Sequence, residues 1–245
     1  MTAYEGFARV YDSLMEDVPY ERWASEICDT LRRDGIEGGL VLDLCCGTGT
    51  MTELMAERGY DMTGVDASAD MLEIAAEKKA VSGSDILYLR QDMRSFELYG
   101  TMAAIICICD SINYLTDYED LVACLKLVNN YLDPGGLFIF DFNPPEKYEA
   151  LGDSSICDSA EDISFIWENS WDPGNRINEC ALAIFICGDD GRYDRFDELH
   201  LQRGYSLDEI KSALSEAGLG FVESRCEEDG RTFVTARECT KSKAL

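Results

Sequence analysis

Between positions 40 and 142, short apolar runs alternate with stretches whose apolar residues recur at helical spacing. The runs cover 40–45, 61–65, 86–89, 103–109 and 137–142. Each is close to continuous in apolar character, which predicts strands covered on both faces, as in a parallel sheet with crossover helices. Helix starts are expected from capping chemistry, in which a Ser or Thr oxygen takes an orphan N–H and a Glu three residues on reaches back. Thr50 with Glu53, Thr116 with Glu119 and Ser206 with Glu209 have that form. Behind them Met51, Leu54 and Met55, then Leu121, Cys124, Leu125 and Val128, then Ile210, Ala213, Leu214 and Ala217 each mark one buried face. Gly59 and Gly218 stand where the first and last of these helices should stop. A helix over 20–33, with Trp23, Ile27 and Leu31 on one side, precedes the first strand.

After Pro145 the texture changes. Segments 163–171, 176–187 and 192–203 read as strands, the last two joined across Gly188-Asp189-Asp190-Gly191. Segments 219–227 and 231–238 flank Asp229-Gly230 as a terminal hairpin. The expected fold is α/β: a doubly wound, Rossmann-like sheet of about seven strands with the last strand antiparallel, plus a small antiparallel β insertion after strand five. Residues 1–38 would form a helical cap, 39–145 and 204–239 the core, and 146–203 the insertion. The tail 239–245 is expected to fray.

Charge narrows the partners. The chain has 21 Lys and Arg against 48 Asp and Glu, a formal net charge of −27, and neutralising a phosphate backbone takes clustered Lys and Arg. Nucleic acid is therefore not the expected partner. No run approaches the roughly 18 apolar residues of a membrane span, and residues 1–20 lack the basic start and apolar core of a signal peptide. A cytoplasmic protein that does not engage a membrane is expected. The 11 Cys are odd in number and sit in apolar segments, which suits reduced thiols, and with one His and no C-x-x-C no metal site is expected. Monomer and homodimer are left open.

The segment Val41-Leu42-Asp43-Leu44-Cys45-Cys46-Gly47-Thr48-Gly49-Thr50 runs from a strand end through two glycines into a helix start. In open α/β sheets ligands bind outside such strand ends, where glycine permits close backbone approach. The second strand ends in Asp66, 17 residues beyond Gly49, near the place where an acid grips ribose hydroxyls. A dinucleotide fingerprint would want glycine at position 52, which is Thr. Asp43, inside the first strand, would oppose a phosphate but meet an ammonium, and a buried carboxylate of this kind needs a cationic or N–H partner. These residues suit S-adenosylmethionine, with its ribose, adenine, ammonium and sulfonium.

The sequence resembles the class I S-adenosylmethionine-dependent methyltransferases. Their D-x-x-x-G-x-G loop matches Asp43-Leu44-Cys45-Cys46-Gly47-Thr48-Gly49, and their acid after strand two matches Asp66. Residues 40–142 carry the core resemblance, and 219–238 resembles the final hairpin of that fold. The start, Tyr4-Glu5-Gly6-Phe7-Ala8-Arg9-Val10-Tyr11-Asp12, is similar to that of a group of largely uncharacterised bacterial small methyltransferases. The insertion is similar to that of sugar N-methyltransferases and glycine N-methyltransferase-like enzymes. The resemblance implies that Asp43, Cys45, Gly47 and Gly49 line the methionine moiety and that Asp66 takes the ribose. It implies that Ala67 and Met71 flank adenine, with Gln91 and Met93 beside Asp92, which accepts from the adenine amino group. Cys109 and Asp110 would reach the methionine end, and Tyr11 would close over the cofactor. Two of these carry a structural alternative: Asp92 as a cap of the next turn and Met71 as core.

For the acceptor's proton the candidates are Asp110 and Tyr114, just beyond strand four, and His200, the single histidine. On a regular strand His200 shares a face with Phe196, Glu198 and Gln202, opposite Leu199 and Leu201, and such a mixed polar face is expected at the surface. Trp167, Trp171, Phe185 and Phe196 either shape the acceptor pocket or pack as core. Asn143-Pro144-Pro145 reads as a chain-redirecting turn. The expected activity is methyl transfer by in-line displacement to N or O of a small-molecule acceptor covered by the insertion. A macromolecular acceptor, RNA or a basic protein, and a non-catalytic S-adenosylmethionine-binding module stay open at this stage. Asp66→Ala is expected to weaken cofactor binding with little loss of stability.

Overall fold

A computed structural model describes residues 8–159, 162–188 and 190–242. Tyr4, Glu5, Gly6 and Phe7 of the N-terminal run, Asp189 of the hairpin turn and positions 243–245 of the tail lie outside the described residues. Two helices come first, α1 (Ala8–Leu14) and α2 (Tyr20–Arg33). Then β1 (Leu40–Leu44), α3 (Thr50–Glu57), β2 (Asp61–Asp66), α4 (Ala69–Ser82), β3 (Leu87–Arg90) and β4 (Met102–Cys107) alternate. A 3-10 turn at Ser111–Tyr114 leads into α5 (Tyr118–Tyr131) and β5 (Leu132–Phe142). Next come α6 (Pro145–Leu151) and the antiparallel strands β6 (Ser154–Ser159), β7 (Ile163–Asp172), β8 (Ile177–Cys187) and β9 (Tyr193–Arg203). The last elements are α7 (Leu207–Glu216), β10 (Leu219–Cys226) and β11 (Thr232–Glu238).

The main sheet runs β10-β11-β5-β4-β1-β2-β3, and the second runs β6-β7-β8-β9. In the main sheet β1 pairs in parallel with β2 and β4, while β11 is antiparallel to both β5 and β10. The core divides by residue parity. Leu42 and Leu44 lie with Ile105, Phe138, Phe140 and the apolar sides of α5 and α7. Val41 lies with Ala104, Ile106, Ile139 and the apolar sides of α2 and α3. Successive strand residues point to opposite faces, so a sheet covered on both sides must be apolar at both parities, which is why its strands read as unbroken runs. The chain steps to one side of β1 for β2 and β3 and to the other for β4 and β5. That puts the switch point, where open sheets bind ligands, between β1 and β4.

One of the three expected capping boxes forms. Ser206 Oγ accepts from Glu209 N at 3.3 Å, and Glu209 Oε2 accepts from Ser206 N at 3.0 Å. At α3 the N-cap is Gly49, without a side-chain cap, because the Thr50 hydroxyl donates to Asp12 instead. At α5 the N-cap is Asp117, one residue past Thr116, again without a side-chain bond. Strand β4 stops at Cys107 rather than 109 because Cys109 and Asp110 both have positive φ, 60° and 51°. The insertion holds four strands, not three. The extra one, β6, is a sheet edge with five of its six residues exposed, so its sequence Ser-Ser-Ile-Cys-Asp-Ser has no buried face to betray it. Asn143-Pro144-Pro145 does redirect the chain, and it does so by starting α6, with Pro at the first helical turn, where its missing N–H costs nothing.

Candidate active site

The residues after β1 reverse the chain on three positive φ angles: Cys45 at 64°, Gly47 at 54° and Gly49 at 76°. The two glycines have different reasons. A Cβ on Gly47 would meet nothing within 4 Å, so this residue fronts open space. A Cβ on Gly49 would lie 2.4 Å from the Tyr88 hydroxyl, and one on Gly64 would lie 2.6 Å from the Tyr88 ring. Gly49 therefore makes room for Tyr88, a packing role that its place in the loop sequence does not reveal. The loop is pinned from both sides: Gly47 N–H donates to Asp66 Oδ2 at 2.9 Å, and the Thr48 hydroxyl donates to Asp12 Oδ1 at 2.6 Å. Lys78 of α4 completes the second pin at 2.6 Å from Asp12, so α1 is tied to the loop through a charged knot.

Asp43 is buried, and the parity that sends Val41 to α3 sends it there too. Its Oδ2 accepts from the Thr52 hydroxyl at 2.6 Å. The expected cation or N–H partner is corrected to a hydroxyl, supplied by the residue that breaks the dinucleotide fingerprint. Among the described residues no cation is paired with Asp43, and burial pushes its carboxyl up to about 7 despite the Thr52 bond, with Asp66 adding to the rise. A buried carboxylate with a neutral partner beside an open glycine fits a ligand that brings its own ammonium. In the unfolded chain this group titrates near 3.8 and in the folded chain near 7. Its contribution to stability is thus complete below the lower value and is lost as pH rises through the higher one. Asp43→Asn is expected to be more stable relative to wild type at pH 7.5 than at pH 5, by about 2 kcal/mol in urea unfolding without ligand. An unchanged difference between the two pH values would show that burial does not raise the Asp43 carboxyl.

The other strand-end acids are engaged locally. Asp66 Oδ1 accepts from Ser68 N at 2.8 Å, and burial pushes its carboxyl up against the backbone N–H groups of Ser68, Gly47 and Ala67. Asp92 accepts from Arg94 Nη2 at 2.5 Å and from Arg94 N at 2.8 Å, and this holds it below the usual carboxylate range. It caps the next turn, the alternative noted above. The Gln91 amide is spent on the backbone of Glu97, donating to its oxygen at 3.0 Å and accepting from its nitrogen at 2.6 Å. Ala67 is exposed, and its carbonyl accepts from Arg90 Nε at 3.1 Å. Cys45 Sγ lies 3.6 Å from Met93 Sδ. Met71 is buried with Ala8 and Val10 of α1 and Leu182 and Ile184 of β8, so α1 bridges the core and the insertion.

Beyond β4 the two left-handed residues Cys109 and Asp110 turn a polar cluster inward. Asp110 N donates to Asp141 Oδ2 at 2.9 Å, and Arg231 spans both acids, 2.8 Å from Asp110 and bonded to Asp141. The second oxygen of Asp110 accepts from Gln202 Nε2 at 2.7 Å, so Asp110 is a tethered carboxylate. Cys109 Sγ donates to Tyr20 at 3.4 Å, and Tyr11 bonds to the same Tyr20, which links the α1 tyrosine to this turn. Asn113 stitches the cluster to its neighbours, donating to Asn143 and Arg203 carbonyls and accepting from Asn143 N.

The insertion sheet lays its polar side on this cluster. Across the strands, Trp171, Asn178 and Gln202 form one row, Asn169, Cys180 and His200 the next, and Trp167, Leu182 and Glu198 a third. His200 and Glu198 are buried, while Leu199 and Leu201 are exposed at 55% and 43%. The expected surface position of His200 is thus reversed: the mixed polar face points in. His200 Nδ1 lies 3.2 Å from the Tyr114 hydroxyl. Trp171 stacks on Tyr148, Phe196 joins the α1 cluster, and Phe185 belongs to the outer face. Of the sequence candidates, Tyr114, His200 and Asp110 converge here. Thr52, Gln202 and Arg231 were missed, because their partners lie on other elements; Glu198 was missed although its partner His200 is two residues away, because the face they share was expected at the surface.

The sheet order, with its switch point between β1 and β4, defines a Rossmann-like α/β domain. A family model described as a methyltransferase domain matches residues 41–136. The "Putative methyltransferase YqeM" of Bacillus subtilis (strain 168) is 38% identical over 217 residues, covering 88% of this chain and 85% of that protein. The dTDP-3-amino-3,6-dideoxy-alpha-D-glucopyranose N,N-dimethyltransferase of Streptomyces fradiae is 29% identical over 224 residues, covering 88% and 85%. The crystal structure of an S-adenosylmethionine-dependent methyltransferase from Clostridium acetobutylicum ATCC 824 superposes with a TM-score of 0.87 at 28% identity, covering 96% of this chain and 99% of that one. The chain belongs to the S-adenosylmethionine-dependent methyltransferases, and S-adenosylmethionine is its cofactor. No helix among the described residues is long and apolar enough to cross a membrane.

Proposed function

We propose that the enzyme methylates an amine nitrogen of a small-molecule acceptor held between the β4 turn and the insertion. The observation that carries this reading is the inward polar face of β7, β8 and β9, whose Asn169, Asn178, His200 and Gln202 side chains are turned toward Asp110 and Tyr114. Similarity to an amino-sugar N,N-dimethyltransferase supports nitrogen over oxygen. Segment 146–203 serves as the acceptor cover, residues 1–38 as the cap, and 39–145 with 204–239 as the cofactor-binding core.

When bound, S-adenosylmethionine supplies a methyl carbon on a sulfonium leaving group. Asp43 would hold the ammonium, Gly47 and Cys45 would front the methionine moiety, and Asp66 would take ribose hydroxyls on its remaining lone pairs. Asp92, Gln91, Met93, Ala67 and Met71 would form the adenine side through packing and backbone, because the Asp92 and Gln91 side chains already have local partners. Cys109 and Gly49 position the two turns, and Tyr11 closes the entrance beside Tyr20. Asp110, fixed by Arg231 and Gln202, orients the acceptor electrostatically, while Tyr114 and His200 take its proton.

Calorimetric titration with S-adenosylmethionine and with its demethylated product is expected to show one site for each. A mass-spectrometric screen of small amines and matched alcohols with labelled S-adenosylmethionine should then give methylated amines. Methylation confined to alcohols, or to protein or RNA, would overturn the reading.

A further inference from the structure

We infer that Glu198 is a positioning residue that sets the His200 tautomer and so completes a Tyr114–His200–Glu198 proton relay. This rests on the reading that Tyr114 and His200 receive the acceptor proton. Residues two apart on a strand share a face, which puts the Glu198 carboxylate directly beside the imidazole. Its Oε2 lies 3.1 Å from Nε2, while Nδ1 lies 3.2 Å from the Tyr114 hydroxyl on the other side. The Glu198 and His200 side chains are 4% and 7% exposed, so this is no solvated surface pair. Tyr114 meets the ring edge-on at a centroid distance of 5.9 Å, so the hydroxyl reaches the nitrogen while the rings stay packed. Cys180 faces His200 from β8, and Asp110 lies beyond Gln202, two residues along β9.

A carboxylate accepts only. Its negative charge 3.1 Å from Nε2 favours the tautomer with the proton on Nε2, and Nδ1 is left as an acceptor aimed at Tyr114. In the reaction the nitrogen–carbon bond forms as the carbon–sulfur bond breaks with its electron pair left on sulfur. The nitrogen then carries one surplus proton. That proton passes to the Tyr114 oxygen as the phenolic proton passes to Nδ1, and the imidazolium so formed is met by Glu198. Without Glu198 the relay loses its direction, because the Tyr114 hydroxyl can accept from Nδ1–H as readily as donate to Nδ1.

Because His200 is the only histidine in the sequence, an untagged 15N-labelled sample gives a single imidazole pattern in long-range 1H–15N correlation spectra. Wild type above pH 7.5 is expected to show the Nε2–H tautomer. Glu198→Leu removes the negative charge beside Nε2 and should move the proton to Nδ1, changing the tautomer ratio by about tenfold or more. Tyr114→Phe should keep the Nε2–H pattern, since the carboxylate and not the phenol sets it. An Nδ1–H pattern in wild type, or an unaltered pattern in Glu198→Leu, overturns the inference. Should Glu198→Leu fail to fold, wild type and Tyr114→Phe still decide, since loss of the Nε2–H pattern in Tyr114→Phe also overturns it. Calorimetric binding of S-adenosylmethionine in the same samples keeps failure of the relay separate from failure of the cofactor reading.

Discussion

Arg231→Met is expected to destabilise the protein by about 3–5 kcal/mol at pH 8, measured by urea unfolding without ligand. The side chain is 13% exposed and bonded to two carboxylates, Asp110 at 2.8 Å and Asp141, with its guanidinium 5.3 Å from the Trp23 ring. Burial pushes the Asp141 carboxyl up and Arg231 draws it back, while Asp110 raises it further. Removing the cation leaves two acids facing each other across a 2.9 Å backbone contact with no compensating charge. One of them must then take up a proton. In the variant that carboxyl titrates higher than in the unfolded chain, so its contribution to stability is present at low pH and lost as pH rises. The deficit relative to wild type should therefore shrink at pH 5. Adding Asp141→Asn to Arg231→Met should recover part of the loss, because the amide carries no charge. A deficit below about 1 kcal/mol, or one independent of pH, would show that the clamp is not the source of stability here.

Much of the fold was legible because its signals are local. Five unbroken apolar runs and the glycines after the first one need no knowledge of distant residues. The acids near three strand ends, Asp43, Asp66 and Asp92, were legible for the same reason. What each acid does was less so. Asp92 has a strong donor two residues away in Arg94, and that short-range bond settles its geometry. Gly49 looked like a ligand-facing glycine, whereas the atom that forbids a side chain there is the Tyr88 hydroxyl, from a different strand. The polar cluster was out of reach because its members meet across 31 to 121 residues: Asp110 with Asp141, with Gln202 and with Arg231. Strand β9 reversed the ordinary rule. Its Leu199 and Leu201 face out and its Glu198, His200 and Gln202 face in, because this end of the sheet covers a polar site, while the other end packs Leu182, Ile184 and Phe196 on α1. A period-two pattern gives the two faces of a strand but does not say which is the inside.

Asp66→Ala should lower S-adenosylmethionine affinity by about 100-fold or more and also cost about 1–3 kcal/mol of stability. From the sequence only the first effect is expected. The structure adds the second, because the carboxylate accepts from Gly47 N at 2.9 Å with one oxygen and from Ser68 N at 2.8 Å with the other. Deleting it orphans two partly buried N–H groups, one in the glycine loop and one at the start of α4. The remaining lone pairs of each oxygen are what ribose hydroxyls would use, so one side chain shapes the loop and holds the ligand. Ser68→Ala separates the two effects: it removes the bond from Met71 N that caps α4, at 3.3 Å, and leaves the Asp66 carboxylate in place. It should cost about 1 kcal/mol of stability with affinity within about threefold of wild type. Calorimetry on both variants, at a temperature where unfolding scans show each to be folded, decides the matter. Near wild-type affinity in Asp66→Ala would take this residue out of the cofactor site, and a comparable affinity loss in Ser68→Ala would show that the loop's shape, rather than a ribose contact, is what the carboxylate supplies.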